Sequence, residues 1–366
     1  MNAIEKAMSE LSELEKQFAR DIAKVATELE PLPDDRVTKT LEMAWGQVIS
    51  RRRKLAACIR GGLLQVKTAS LSEGVNRHQL NKARRCLENA KSRIGLWGHV
   101  ESIVTAQVLS ERRALLEKDM AAQREVRVMD QVVALFLASM HKVGNPTAET
   151  QEADAIEHGC HPDIPYPLKW FSNLIGAAHR ICLALRKQRP LHFLDVGSGG
   201  GTKVLAATTC FDICDGLEYE TGPAVTGGRL LELLAPGQCK LIHGDALDFS
   251  DYGKYDVIYF YRPLRERKKM AEMEERIFTQ ARPGTVILAV GGLVSQDLPS
   301  RRVHKITKKI HITGIYITGV SEYEASEIGK TAEQMGMMVP GFGRKMPAAG
   351  YWAPLLEVSA RNGYYI

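Results

Sequence analysis

Four glycines fall within five residues in the stretch LHFLDVGSGGGTKV, where an apolar run ends in Asp195 and Gly197, Gly199, Gly200 and Gly201 follow. Glycine loses more conformational freedom on folding than any other residue, so this density needs a physical reason. At the carboxyl end of a parallel strand, a glycine-rich turn lets backbone N–H groups come close to a ligand ahead of the next helix. Side chains at Gly197, Gly199 or Gly201 would then occupy the volume of approach. An adenine nucleotide carrying an anionic or carboxylate group suits such a place. Glu218 stands 17 residues beyond Gly201, at the expected end of the second strand, where a carboxylate can accept both hydroxyls of a ribose. In LIHGDALDF, Asp245 leaves the third strand where a short carboxylate can accept a hydrogen bond from an adenine amino group. Three loops on one sheet edge would converge on one nucleoside.

In these residues the chain resembles the class I S-adenosylmethionine-dependent methyltransferases. Asp195, Val196, Gly197, Ser198, Gly199, Gly200 and Gly201 match that family's acid, glycine, any, glycine, any, glycine signature without a gap. The resemblance implies that Asp195 orients the loop near the methionine part of the cofactor, with Gly197, Ser198, Gly199 and Gly201 around it. It further implies that Glu218 binds the ribose, that Asp245 with Ala246 faces the adenine, and that Pro283 and Gly284 form the turn before the fifth strand. It covers about 170–290, roughly a third of the chain. The implied cofactor is S-adenosyl-L-methionine and the implied activity is methyl transfer. A dinucleotide site would favour glycine where Thr202 stands, and the GKS or GKT of a phosphate loop is absent from the sequence.

Methyl transfer from a sulfonium is an in-line displacement, promoted by alignment and exclusion of water. The acceptor side should lie at the end of the fourth strand, in DVIYFYRPLRE. Methyltransferases acting on exocyclic base amino groups carry Asp, Asn or Ser, two prolines and an aromatic residue there. Tyr261, Arg262, Pro263 and Leu264 stand in their place, so the acceptor-binding acid is missing. Tyr261 and Arg262 are the candidate catalytic residues: the tyrosine to line the methyl channel or hydrogen-bond the acceptor, the arginine to clamp a carboxylate or phosphate. Tyr259 is expected to face away from Tyr261. His161, Asp163 and Tyr166 precede the nucleotide domain, where they could close over the methyl donor.

The elements that must position these residues form an α/β domain, a doubly wound mostly parallel sheet of Rossmann-like methyltransferase type, at 166–366. Near-continuous apolar strands at 191–196, 211–217, 239–243, 255–261 and 285–290 alternate with helices, as a sheet covered on both faces requires. The stretch 306–320 reads as two edge strands, followed by a helix near 326–335 and a final strand at 354–358. An all-helical domain at 1–165 precedes it, a candidate substrate-recognition or lid region. Ile4, Met8, Leu11, Leu14, Phe18, Ile22 and Val25 recur at helical spacing. A second helix covers about 37–60, with Gly61 and Gly62 weakening its continuation, and two or three long helices fill 72–142. RRRK at 51–54 and KARR at 82–85 read as solvated helix faces, with nucleic acid as the alternative.

With 366 residues, two cores are expected. Neither a membrane span nor a secretory signal is legible, so a cytoplasmic protein is expected. Seven scattered cysteines suggest reduced thiols and no metal site. Residues 1–165 hold 24 Lys and Arg against 23 Asp and Glu, and 166–366 hold 25 against 20, an excess that gives only slight support to an anionic substrate. A small-molecule acceptor is favoured, with nucleic acid or protein as alternatives and a homodimer through the helical domain as an option. The rival reading is a non-catalytic nucleotide-binding interaction protein.

Overall fold

The structure, a computed structural model, describes residues 3–30, 39–70, 77–109, 113–116, parts of 128–143, 151–162, 166–295, 298, 300–306, 313–336 and 350–364. Asp163 lies outside the described residues. The chain divides into two compact units, 1–111 with 336–366, and 112–335. This differs from the division at 165/166 suggested by composition. The described carboxyl-terminal residues return to the helical unit, and the described residues of 112–165 cluster with the sheet.

The helical unit contains α1 (Ala3–Leu29), α2 (Lys39–Ala69), α3 (Arg77–Ile94) and α4 (Trp97–Leu109). Phe18, Ile22 and Val25 of α1 pack in one core with Leu55 and Ile59 of α2, Leu87 of α3 and Val100 and Ile103 of α4. Contrary to expectation, α2 continues through Gly61 and Gly62. A Cβ at Gly62 would come within 2.8 Å of Leu87, so the missing side chain serves the close approach of α3. The expected strand at 354–358 is instead a helix, labelled α11 (Ala353–Arg361). Pro354 sits in its first turn, where a missing N–H costs nothing. The adjoining Trp352 is fully buried and donates its indole N–H to the Arg93 carbonyl at 2.8 Å.

The sheet unit runs α5 (Ala153–His158), α6 (Leu168–Ala184), β1 (His192–Val196), α7 (Thr202–Ala207), β2 (Ile213–Glu218), α8 (Thr221–Leu234), β3 (Cys239–His243), β4 (Val257–Tyr261), α9 (Arg267–Gln280), β5 (Val286–Val290), β6 (Val303–Lys305), β7 (Thr313–Thr318) and α10 (Glu322–Gln334). Its seven strands lie in the order β3-β2-β1-β4-β5-β7-β6. The first five are parallel, while β7 runs antiparallel to both β5 and β6. This is the doubly wound arrangement of the Rossmann-like methyltransferase fold. Because β7 is inserted between β5 and β6, it is an interior strand and not one of two edges. The strand order reverses between β1 and β4, which opens a crevice at their carboxyl ends.

Candidate active site at the strand tips

The turn after β1 is held by the neighbouring strand. Gly197 and Ser198 both donate their N–H to the Leu217 carbonyl, at 2.8 and 3.1 Å, and Gly201 closes the turn on the Ser198 carbonyl at 3.0 Å. Gly197, Gly199 and Gly201 have φ of 77°, 53° and 80°, the left-handed region in which a side chain is strained. A Cβ at Gly197 would stand 2.6 Å from the Pro263 side chain, and one at Gly201 would stand 2.9 Å from Leu231. These two glycines therefore answer to backbone handedness and internal packing, a reason the approach-volume argument did not contain. Asp195 is buried in β1, and the buried Ser198 hydroxyl has no hydrogen-bond partner among the described residues.

Glu218 meets this turn from the end of β2. Its carboxylate accepts the Gly199 N–H at 2.6 Å on one oxygen and the Glu220 N–H at 2.9 Å on the other. Each oxygen keeps further acceptor capacity, as two ribose hydroxyls would need. Burial raises the Glu218 carboxyl above its ordinary range, opposed by the backbone N–H groups of Glu220 and Gly199. At the tip of β3, one Asp245 oxygen accepts the Leu247 N–H at 2.8 Å. Its other oxygen lies 3.2 Å from Nε2 of His158. The His158 ring stacks on Tyr219, with centroids 4.4 Å apart and planes 5° from parallel. Ala246 turns its carbonyl to the Tyr252 hydroxyl at 2.9 Å.

His158 belongs to a clasp that the sequence reading missed. Glu152 donates its N–H to Glu220, and its carboxylate accepts the N–H groups of Thr221 and Gly222, satisfying the first turn of α8 from a distant part of the chain. Gly159 accepts the Arg265 N–H at 2.8 Å, and His161 donates its own to Pro263 at 2.9 Å. Lys269 binds the His158 carbonyl at 2.6 Å. The segment 151–161 thus ties together the tips of β2, β3 and β4. A six-residue helix in a Gly- and Pro-rich stretch carries too few apolar positions to show a period, so only the structure reveals it.

The β4 end is aromatic. Tyr259 and Tyr261, two residues apart on a strand, share a face, and the Tyr166 ring touches both, at 6.4 and 5.3 Å. The expectation that they face apart is corrected. Tyr166 places its hydroxyl 3.4 Å from that of Thr313 on β7. The Tyr259 hydroxyl is buried without a hydrogen-bond partner among the described residues, and burial and then the Asp195 charge push it well above the usual phenol value. Arg262 is exposed and adopts φ of 44°, a conformation that costs a non-glycine residue about 1–3 kcal/mol and recurs at functional sites. Its side chain lies over Gly291 so closely that a Cβ there would collide with the guanidinium. The His161 imidazole is lowered by burial and by the charges of Arg265 and Arg262.

The structure therefore brings Gly197, Ser198, Gly199, Gly201, Glu218, Asp245 and Ala246 to one edge, and Tyr261 and Arg262 to the adjoining strand. Among the described residues, no three His, Cys, Asp or Glu side chains are grouped to hold a metal. All seven cysteines are free.

No protein-family model matches the chain, and no curated protein matches it. Solved structures do. An RNA methyltransferase from Salinibacter ruber, in complex with S-adenosyl-L-homocysteine, is 17% identical over 43% of this chain and 95% of its own, with a TM-score of 0.34. A SAM-dependent methyltransferase from Geobacter sulfurreducens, in complex with the same compound, is 21% identical over 41% of this chain, with a TM-score of 0.28. The sugar N-methyltransferase KedS8 from Streptoalloteichus sp. is 17% identical over 39% of this chain, with a TM-score of 0.27. The chain spans 54% of the length of each of the latter two. Likeness of this degree carries no functional argument.

Proposed function

We propose that the sheet unit is an S-adenosyl-L-methionine-dependent methyltransferase. One observation carries the reading: Gly199, Glu218 and Asp245 stand on adjoining strand tips, with Glu218 already bonded to the glycine turn. In this reading Glu218 accepts the ribose hydroxyls, Asp245 and Ala246 hold the adenine edge, and Asp195 with the turn from Gly197 to Gly201 receives the methionine part. Bound there, the sulfonium supplies a methyl group already activated by its positive charge. Tyr261 lines the acceptor's approach, Arg262 clamps an anionic group on it, and Tyr166 excludes water from the same end.

The ribose place fits this cofactor, because Glu218 retains acceptor capacity and Ser198 offers a buried, unpartnered hydroxyl. The adenine place fits on one condition. His158 now makes the two contacts that an adenine would make, a stack on Tyr219 and an approach to Asp245. Nucleotide binding then requires the His158 side chain to swing away from Tyr219 and Asp245.

Two acceptor classes have support. The aromatic cluster at the end of β4 favours a small molecule, and the basic helices α2 and α3 favour nucleic acid. The rival reading, a non-catalytic nucleotide sensor, draws on the imidazole in the adenine place. Labelled methyl transfer from S-adenosylmethionine into a cell extract, separated into metabolite, nucleic-acid and protein fractions, tests the assignment. Label in one fraction identifies the acceptor class. Absence of label from every fraction, with the cofactor bound, would favour the sensor.

No helix among the described residues is long and apolar enough to cross a membrane.

A further inference from the structure

The basic charge of this chain is concentrated in two helices. Together α2 and α3 hold 13 Lys and Arg against only Glu42 and Glu88, whereas the whole chain has a net charge of +6, so the remainder is net acidic. Helix α1, in the same unit, carries six acids against four bases. Ten of the thirteen are exposed, Lys39, Lys54, Lys82 and Arg85 among them, and three are engaged within the unit, Arg93 with Glu15 at 3.5 Å being one. Arg51 is absorbed by Asp21 at 2.9 Å, and Arg52 lies over the Trp97 ring at 4.6 Å. Arg53, Arg60 and Lys67 on α2, and Arg77, Arg84 and Lys91 on α3, are exposed. Among the described residues, Lys91 makes a 3.8 Å surface contact with Glu88.

Their spacing is regular. On each helix three of the five exposed cations stand seven residues apart, which is two turns, a rise of about 10.5 Å and a drift of only about 20° around the axis. Each helix therefore presents a straight row of three charges about 21 Å long. A compact anion needs donors that converge, and these rows do not converge. A membrane surface requires a continuous apolar face beside the charges, but Leu55, Ile59 and Val66 of α2 and Leu80 and Leu87 of α3 are committed to the core, and the exposed large apolar side chains on these helices are the isolated Met43 and Leu64. Single-stranded nucleic acid is gripped largely through exposed aromatic rings. The two tryptophans nearby stack on each other at 5.3 Å, and Trp97 is buried. A duplex phosphate backbone, an evenly spaced line of negative charge, is the partner that matches.

We infer that α2 and α3 form a sequence-independent docking surface for double-stranded nucleic acid, contacting phosphates through Arg53, Arg60, Lys67, Arg77, Arg84 and Lys91. This surface stands independently of the strand-tip reading.

The test uses the full chain and a labelled 20-base-pair duplex of mixed sequence, in DNA and RNA forms, with anisotropy read between 50 and 200 mM salt. Six phosphate contacts give a slope of log affinity against log salt near about −5. Replacing Arg53, Arg60 and Lys67 together by Gln should flatten that slope by about three. The off-row Lys54→Gln variant should leave it unchanged. If the α2 triple variant does not fold, Arg77→Gln with Arg84→Gln and Lys91→Gln provides the same reading from α3. The relative affinities for the two duplexes show whether DNA or RNA is preferred. The inference is overturned by absence of duplex binding at 50 mM salt, by a slope that the triple variants leave intact, or by binding to phosphatidylserine vesicles or single strands in preference to duplex. Donor titration is measured separately, so the two proposals fail independently.

Discussion

The two ends of the strand-tip row are built from different materials. At β1, β2 and β3 the groups are carboxylates and backbone N–H donors, each already engaged: Glu218 with Gly199 and Glu220, Asp245 with Leu247 and His158. At β4 the groups are phenols, Tyr259 and Tyr261 packed against Tyr166, with one hydroxyl buried and unpartnered and one arginine in a left-handed conformation. In the proposed reading the first end recognises a fixed, hydrogen-bonding nucleoside. The second is aromatic and half-buried, surroundings in which a displacement can be aligned. In that reading recognition and reaction occupy neighbouring strands but rest on different physics, and substitutions should separate them.

The largest effect is expected at the polar end. Glu218→Gln removes charged acceptors worth about 1.5–3 kcal/mol per hydrogen bond, so affinity for S-adenosylmethionine should fall roughly 100-fold, as read by calorimetry. The same group gives a pH signature. Because burial raises its folded-state pKa, its contribution to stability is complete below the ordinary value of 4.5 and is lost as pH rises through the folded value. Thermal unfolding followed upward from pH 4 should lose stability over that window, and the Glu218→Gln profile should be flatter.

Next in size is Gly197→Ala, which sets a side chain at φ of 77° against Pro263. It should destabilise the fold by about 1–3 kcal/mol, seen as a lower urea midpoint with unchanged slope. His158→Ala is a smaller change of opposite sign. Removing a stacked ring worth about 0.5–1.5 kcal/mol should tighten nucleotide binding about 3- to 10-fold. Weaker binding would instead make His158 part of the adenine wall and erase the contrast between a latched and an open site. The smallest effect belongs to the aromatic end. Tyr259→Phe deletes a buried hydroxyl that lacks a partner, so stability should be unchanged or rise by up to about 1 kcal/mol.

Much of the polar end was legible in the sequence because it is local. Buried parallel strands read as unbroken apolar runs, and Val257–Tyr261 and Val286–Val290 fall where VIYFY and VILAV suggest. Positive-φ glycines must appear in the chain itself. The rest depends on distant partners. Glu152 caps a helix 69 residues away and His158 finds Asp245, neither of which leaves a periodic trace. The segment Pro354–Val358 looked like a strand because Leu355, Leu356 and Val358 are apolar, yet they serve the core of α1–α4 as one face of a helix. Gly197 and Gly201 were legible as glycines, but their packing against Pro263 and Leu231 was not.

The most direct measurement is calorimetric titration of the folded chain with S-adenosyl-L-methionine, beside Glu218→Gln. Saturable one-to-one binding by the natural sequence, much weakened in the variant, is the predicted result. A folded protein that takes up no cofactor at millimolar concentration, in both the natural sequence and His158→Ala, would contradict the assignment.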